Sequence, residues 1–368
     1  MKQKELFSLL KISIILFVVT MTVFILFVNF FKMIEFVVRI DDVIKSVGDE
    51  GEITSINNEF NDEDLSGDLI LNPDESHTAK QLGYVDRIAE LNGSEWGRGV
   101  NILVVGSDKK NFQISKSRAD VIILIRVIDN GKIMSISIPR DTLININDDR
   151  QNVTADKIGH SLYWGGIENL KKNIEELTGS PVNRVLIIDN FRSFEAFLAI
   201  IGGIMIDKKL EGDTGIRWIR NRQFKFGDID RCKRQQLFLQ KSAVKIWKIT
   251  KGGNYLYAGF FYDALKKIVL TDITKDEFYK LLYNLKKENF DPEKDFYTGV
   301  LEGSFSIYDS ELLNRKNLTC WLPDQRYLEK LQFLFYTDRN ESVFFDGKKM
   351  DMWKFVELDL KKNKAVKQ

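Results

Sequence analysis

Four charged residues lie at the open end of a predicted β-hairpin, two at the start of its first strand and two after its second strand. Residues Ala119–Ile128 and Lys132–Ile138 are apolar and rich in β-branched side chains, and the Asn130-Gly131 pair between them is typical of a two-residue hairpin turn. That turn predicts Asp120 opposite Asp141. The open end of the hairpin then gathers Arg118, Asp120, Arg140 and Asp141. Opposed charges beside a buried sheet indicate either a functional site or a salt-bridged strand end.

Two aspartates, Asp108 and Asp120, lie at opposite ends of the loop between the first two predicted strands. If these strands are neighbours, both carboxylates lie at one edge of the sheet, where they repel each other unless a cation or a proton lies between them. Oxygen ligands without thiol or imidazole suit Mg²⁺ (or Mn²⁺), which completes its shell with phosphate oxygens. We therefore predict these two residues as metal ligands. The alternative is that one aspartate caps a turn while the other pairs with Arg118.

A second group of charged residues occupies the segment 219–236, IRNRQFKFGDIDRCKRQQ, where Arg220 and Arg222 form an Arg-x-Arg pair. Gly227-Asp228 fits a helix start, and one face of the helix that follows carries Arg231, Arg234 and Gln235. Arginine binds phosphate through parallel hydrogen bonds, and a helix N-terminus favours an anion. So many arginines directed at one place would repel one another without an anion, which predicts a pyrophosphate site. The alternative is a solvated arginine-rich face paired with Asp228 and Asp230.

A sheet covered by helices would position these residues. Val100–Gly106 is a continuous apolar run ending in glycine, which is typical of a strand buried on both faces. Further strands are predicted at Arg184–Asp189 and Ile204–Ile206, and helices at Ile167–Leu177, Phe191–Ile200, Arg231–Thr250 and Asp276–Lys287. Strands that alternate with helices predict an α/β fold, and the hairpin makes its sheet mixed. The sequence has no glycine-rich phosphate loop after a strand and no serine nucleophile elbow, which favours direct displacement at phosphorus.

The whole chain has 368 residues, 44% hydrophobic and 29% charged, which indicates one large or two small globular domains. A net charge of +1 argues against nucleic acid as a partner, because general nucleic-acid binders are usually strongly basic. The two cysteines, Cys232 and Cys320, have no metal-ligand spacing. Two separate buried thiols are favoured over a disulfide between them.

Residues 12–31 are apolar and uncharged, and they are long enough to cross a bilayer as a helix. Lys2, Lys4 and Lys11 precede them, which predicts a cytoplasmic N-terminus and an extracytoplasmic remainder at the cell membrane. No small residue follows as a cleavage site, so an uncleaved anchor is favoured over a cleaved signal peptide or a buried helix. The predicted organisation is a cytoplasmic N-terminus (1–11), a transmembrane helix (12–31), an acidic stalk (32–95), an extracytoplasmic domain (96–335) and a C-terminal extension (336–368).

Several motifs, in order along the chain, resemble the LytR-CpsA-Psr family of bacterial cell-wall glycopolymer ligases. They are NILVVGSD (101–108), SRAD (117–120), SISIPRDT (135–142), DKIGHSLYWGG (156–166), FLAIIGGIMID (197–207) and LEG…IRNR…GDIDRCKRQQ (210–236). The resemblance covers Val100 to Thr250. It implies a three-layer α/β/α domain outside a single transmembrane helix.

The same resemblance implies an activity and its residues. Members of this family are phosphotransferases that move a glycopolymer, such as teichoic acid or capsule, from an undecaprenyl-pyrophosphate carrier in the lipid bilayer to peptidoglycan. Asp108 and Asp120 are the implied Mg²⁺ ligands, and the implied pyrophosphate contacts are Arg118, Arg140, Arg220, Arg222, Arg231 and Gln235. Lys157 is a further implied phosphate contact. Asp141 is expected to orient Arg140, a role that is favoured over that of a catalytic base. The alternatives are a non-catalytic polyprenyl-phosphate-binding or regulatory protein and a lipid pyrophosphatase.

Overall fold

The computed structural model describes residues 99–107, 117–128, 130–147, 153–188, 190–221, 227–335, 342–345 and 348–351, with Val38 and Asp42. The chain divides into two units, 1–50 and 51–368, and the fold described below belongs to the second. The predicted membrane segment, Asp108 and Arg222 lie outside the described residues. Within the described residues, no helix is long and apolar enough to span a bilayer.

The strands are numbered in chain order, and their bounds define the labels used below. They are β1 Val100–Ser107, β2 Ala119–Val127, β3 Ile133–Ser137, β4 Leu143–Asn147, β5 Val153–Lys157, β6 Arg184–Ile188, β7 Ile204–Met205, β8 Lys209–Leu210, β9 Leu270–Thr271, β10 Phe296–Val300, β11 Gly303–Ser310, β12 Arg315–Pro323, β13 Ser342–Phe345 and β14 Lys348–Asp351. The helices are α1 Ser161–Thr178, α2 Phe191–Ile200, α3 Gly212–Arg220, α4 Asp228–Ile249, α5 Tyr255–Lys266, α6 Lys275–Lys287 and α7 Gln325–Phe335. A short 3₁₀ turn, Ile158–His160, leads into α1.

Six of the described strands form one mixed sheet in the order β10-β3-β2-β1-β6-β9. β1 runs parallel to β6 and antiparallel to β2, while β3 runs antiparallel to β2 and parallel to β10. The carboxyl ends of β1, β3, β6 and β10 therefore lie at one edge, together with the start of β2. We call this the carboxyl edge. The mixed sheet predicted from the sequence is confirmed.

Helices cover both faces of this sheet, because its strands are apolar on both sides. Leu103 and Val105 of β1 belong to the main core, which α1 and α7 close on one face. Ile102 packs on the other face in a cluster with Phe278 of α6. α4 packs beside it through Leu239, Ala243 and Trp247. The result is a three-layer α/β/α arrangement.

The β2–β3 hairpin closes with three loop residues instead of the predicted two. Lys132 O accepts a hydrogen bond from Ile128 N at 2.9 Å, and Leu124 pairs with Ile136 further along. Gly131 has a φ of 78°, the left-handed conformation that closes a three-residue hairpin loop. The predicted register is therefore wrong by one residue. Continued to the open end, the observed register brings Arg140, not Asp141, opposite Asp120.

The last described helix completes the core around the first strand. Tyr327, Leu331 and Phe335 of α7 are buried in the main cluster. Asn101 Nδ2 in β1 donates a hydrogen bond to Phe335 O at 2.8 Å, and Arg126 Nη1 in β2 donates to the same carbonyl at 3.2 Å. The centre of the sheet is thus fixed to a helix more than 200 residues away.

Candidate active site

The charged end of the β2–β3 hairpin lies at the carboxyl edge of the sheet. Ser107, the last residue of β1, pairs with Ala119 at the start of β2. Arg140 follows β3 and donates a hydrogen bond from Nη1 to Asp120 Oδ1. The structure therefore brings Asp120 and Arg140 together, as the sequence predicted, but as direct partners. Arg118 lies beside them at the start of β2 and is exposed.

Three carboxylates surround the Arg140 guanidinium, which is 22% exposed. Besides its bond to Asp120, its Nε lies 3.7 Å from Asp228 Oδ1 and 3.9 Å from Asp141 Oδ2. Burial alone would lower the pKa of Arg140, but the three negative charges outweigh burial and raise the pKa overall. The guanidinium is therefore a permanent cation held in one orientation by neighbouring carboxylates.

Lys157 reaches the same place from the end of β5. Its Nζ lies 2.9 Å from Asp141 Oδ1, a shorter contact than the one between Asp141 and Arg140. The chain after Lys157 is fixed to the Arg140 segment by a hydrogen bond from Gly159 N to Arg140 O at 2.9 Å. A Cβ on Gly159 would lie 2.9 Å from Ala119 O and 3.0 Å from Arg140 O, so glycine permits this close approach. Asp141 primarily binds Lys157, where we expected it to orient Arg140.

The start of α4 closes the site from the other side of the sheet edge. Arg231 Nη2 lies 3.0 Å from Asp228 Oδ1, and the same atom donates a hydrogen bond to Asp120 O at 2.7 Å. Arg231 and Gln235 are buried. Gln236 Nε2 donates to Ser137 Oγ at 2.8 Å and ties the helix to β3. The predicted helix start at Gly227-Asp228 is confirmed.

The cations of the site are balanced by carboxylates. Three acids and three bases of the described residues contact one another: Asp120, Asp141, Asp228, Arg140, Lys157 and Arg231. Asp228 lies beside both Arg140 and Arg231, so for these two arginines a carboxylate of the protein supplies part of the negative charge that was expected from a bound anion. Arg231 and Arg234 still repel each other. The alternative of a solvated face paired with Asp228 and Asp230 holds for Arg231 in its pairing with Asp228 but not in its solvation, since the Arg231 side chain is only 5% exposed.

The remaining residues that were predicted to bind pyrophosphate or metal either lie apart from this cluster or fall outside the described residues. Arg220, exposed at the end of α3, places its guanidinium 4.5 Å from the ring centre of Phe191, which begins α2 just after β6. α3 packs closely on α2 because Gly215 leaves room for Leu198. Arg234 is half-buried, and burial lowers its pKa, as does the neighbouring Arg231. Arg222 and Asp108 lie outside the described residues.

Sequence reasoning missed a buried carboxylate beside Lys157. Asp156 accepts hydrogen bonds from Lys157 N at 2.8 Å and Tyr308 OH at 2.7 Å, and His160 Nδ1 lies 3.0 Å from both of its oxygens. Trp164 Nε1 is a further donor at 3.3 Å. Burial by itself would raise the pKa of Asp156, but these donors lower it overall. Asp156, His160 and Trp164 all lie in the DKIGHSLYWGG motif (156–166), and that motif is the sequence signal that could have identified this cluster.

Both cysteines are free thiols, and both are buried. Burial, together with the negative charge of Asp228, raises the pKa of Cys232 to about 12. The preference for two separate buried thiols is confirmed.

Comparisons with known proteins agree with the motifs. A model of the LytR_cpsA_psr family matches residues 70–209 and 207–294. The chain is 27% identical over 212 residues to the polyisoprenyl-teichoic acid–peptidoglycan teichoic acid transferase TagU of Oceanobacillus iheyensis, covering 50% of this chain and 62% of that protein. It is 28% identical over 139 residues to TagT of Bacillus subtilis, a match that covers 37% of this chain and 42% of TagT. The match thus spans less than two thirds of the length of these relatives.

Solved structures show the same fold. The crystal structure of protein gbs0355 from Streptococcus agalactiae superposes with a TM-score of 0.56 at 18% identity, covering 72% of this chain and 96% of that one. TagV of B. subtilis superposes with a TM-score of 0.54 at 21% identity, covering 65% and 96%. The family model matches more than half of this chain, and the chain therefore belongs to the LytR_cpsA_psr family.

Proposed function

We propose that this protein is a phosphotransferase that moves a glycopolymer from a polyprenyl-pyrophosphate carrier, such as undecaprenyl pyrophosphate, to a hydroxyl of peptidoglycan. The observation that carries the proposal is the Arg140 guanidinium, held among Asp120, Asp141 and Asp228 and next to Lys157. Relatives named as teichoic acid–peptidoglycan transferases support the two partners.

The charge balance of the site supports a metal-assisted reaction. The six-residue cluster is formally neutral, so a pyrophosphate needs positive charge beyond it. Mg²⁺ or Mn²⁺ would supply two positive charges, with Asp120 and Asp108 as the residues that would hold it. Asp120 fits this role, because its oxygens suit a hard cation, its side chain is 29% exposed and it stands where β1 and β2 meet. Bound there, the metal would neutralise charge on the phosphate oxygens.

The protein side chains have distinct roles in the proposed transfer. Arg140 and Lys157, 22% and 16% exposed, donate hydrogen bonds to phosphate oxygens and favour the charge that develops as the bond breaks. Arg231 is buried and holds Asp228 and the Asp120 carbonyl in place. The acceptor hydroxyl oxygen bonds to the phosphorus on the polymer side, and the bond from that phosphorus to the bridging oxygen breaks. Polyprenyl phosphate leaves with the bridging oxygen, and the hydroxyl proton is released to solvent. Arg118, Arg220 and Arg222 would supply further positive charge around the carrier.

A transfer assay tests this function. The full-length protein in detergent is given a synthetic polyprenyl-pyrophosphate disaccharide and peptidoglycan, with Mg²⁺ or with EDTA. The expected result is Mg²⁺-dependent release of polyprenyl phosphate together with labelling of peptidoglycan. Release without peptidoglycan acceptor would identify a pyrophosphatase instead. Binding of the donor without turnover would identify a non-catalytic binding protein.

We also propose that residues 12–31 anchor the chain in the cell membrane with the catalytic domain outside. Protease added to intact spheroplasts should then digest the domain and leave a short membrane-bound N-terminal fragment. Full protection of the domain would contradict this orientation.

A further inference from the structure

The hairpin formed by β11 and β12 lies beyond residue 294, where the match to the family ends. It nevertheless contacts the candidate site at two points. Trp321 N donates a hydrogen bond to Asp141 O at 2.8 Å, and Trp321 bridges Thr142 in parallel register. Tyr308 OH donates to Asp156 Oδ1 at 2.7 Å. A segment outside the family match therefore contacts the backbone of Asp141, one member of the Lys157–Asp141 ion pair, and the side chain of Asp156, which precedes the other member.

Tyr308 remains a hydrogen-bond donor to Asp156 at neutral pH. It is 9% exposed, and its pKa is raised by burial and by the negative charge of Asp156. Asp156 itself is fully buried. Such a carboxylate is stable only when donors surround it, so removal of one donor perturbs the whole cluster.

Asp156 and Lys157 are consecutive in β5, so their side chains point to opposite faces of the strand. The Asp156 carboxylate also accepts a hydrogen bond from Lys157 N at 2.8 Å. Fixing Asp156 therefore fixes the peptide unit from which the Lys157 side chain projects toward Asp141. A change at Tyr308 would reach the site through this path.

We propose that Tyr308 is a positioning residue that acts through Asp156 on Lys157, so that the β11–β12 hairpin is part of the phosphate-binding site. The inference rests on the proposed function, in which Lys157 binds phosphate. It extends that function to a segment outside the family match.

The experiment is a double-mutant cycle on the full-length protein. The variants are Tyr308→Phe, Lys157→Ala and their combination, and the readout is the affinity for farnesyl pyrophosphate with Mg²⁺, measured by calorimetry. Tyr262→Phe is the matched control. It removes an equally buried hydroxyl, which donates to Ile273 O at 2.7 Å.

Tyr308→Phe and Lys157→Ala should each weaken binding, the first by roughly tenfold because a hydrogen bond to a buried charge is lost. The double variant should bind no more weakly than Lys157→Ala alone. Tyr262→Phe should bind like the wild type. If Tyr308→Phe fails to fold, Asp156→Asn repeats the cycle from the other end of the hydrogen bond.

Wild-type affinity in Tyr308→Phe, or losses that add in the double variant, would overturn the positioning role and leave the proposed function standing. A wild-type protein that does not bind the probe would overturn the proposed function and the positioning role with it. Equal losses in Tyr308→Phe and Tyr262→Phe would show a general effect of lost stability and would also overturn the inference.

Discussion

Arg140 donates a hydrogen bond to Asp120 across the open end of the β2–β3 hairpin. The two residues are 20 positions apart in the chain. Their ion pair joins the beginning of β2 to the segment that follows β3. Asp228 approaches the same guanidinium from α4. One planar cation therefore fixes three separate segments of the carboxyl edge.

Arg140→Lys should lower kcat/KM for transfer by about 100-fold or more. Lysine keeps the positive charge but carries only one nitrogen. Arginine contacts Asp120 through Nη1 while its Nε remains close to Asp141 and Asp228, and a single ammonium group cannot do both. The measurement is the transfer assay, with thermal unfolding to confirm the fold. Arg217→Lys is the control, because Arg217 is 80% exposed and pairs with Asp213 within α3. Equal activity in both variants would show that Arg140 contributes only its charge.

Gly159→Ala should destabilise the protein by about 1–3 kcal/mol and lower its activity. The added methyl group would press on the carbonyl oxygens of Ala119 and Arg140, which are backbone atoms and cannot rotate away. Urea unfolding and the transfer assay measure the two effects. Gly299→Ala in β10 is the control. Its Cβ would lie 3.2 Å from side-chain atoms of Ile136 and Tyr327, which can move. A Gly159→Ala protein as stable and active as Gly299→Ala would contradict this reasoning.

Asp272→Asn should change how stability depends on pH. Burial raises the pKa of Asp272 to about 6, although Val185 N donates to it and Arg184 is close. Between about pH 4 and pH 6 the folded protein holds a proton that the unfolded chain releases, so the free energy of unfolding falls as pH rises through this window. The loss is of order 3 kcal/mol and is complete above pH 6. The Asn variant does not titrate there.

The measurement is urea unfolding of both proteins at pH 4, 5, 6 and 7. Glu277, Lys171 and Glu168 also lie near Asp272 and remain in both proteins, so the difference between the two curves reports Asp272 together with its effect on the pKa of Glu168, which Asp272 helps to raise. The variant should gain stability relative to the wild type as pH rises. Parallel curves would show that Asp272 ionises at an ordinary pH.

Much of the sheet could be predicted from local sequence. β1 and β6 are largely apolar runs bounded by glycine or by charged residues, so their positions follow from composition. The helix α2 beside them follows from its helical spacing of apolar residues and from the Gly202-Gly203 pair after it. The periodic pattern of α4 was recognised only from Arg231, but the helix begins at Asp228, where the Gly227-Asp228 pair indicated its start. The hairpin register was missed by one residue, because Asn-Gly is compatible with both two- and three-residue loops.

Other elements leave weaker local signals. α3 is short and contains Gly215, which is a poor helix former; a capping box between Glu211 and Thr214 and packing on α2 stabilise it. α5 has apolar residues on most sides, so it shows no clear periodicity. Tyr308 reaches Asp156 across 152 residues of sequence, a distance over which no local pattern could predict a contact.

The site was predicted best where its residues share one hairpin or one helix turn. Strand pairing brought Asp120 and Arg140 to the same end of the hairpin, although the predicted register set Asp120 opposite Asp141. Helix periodicity brought Asp228 and Arg231 together. The partner of Lys157 depended on how the β4–β5 hairpin folds over the sheet edge, which the sequence does not encode locally. Because of this tertiary placement, Lys157 forms its ion pair with Asp141.

The bond between Asn101 and Phe335 also constrains the order of folding. During synthesis the central strand is made 234 residues before the carbonyl that its side chain binds. Before then, Arg126 Nη1 can donate to Asn101 Oδ1 and Asn101 Nδ2 to Pro181 O, but the acceptor that both side chains share, Phe335 O, is absent. Because a polar group is costly to bury with a hydrogen bond unmade, water has to replace Phe335 O at this end of the two central strands until α7 packs, and the domain closes as a late event dominated by long-range contacts.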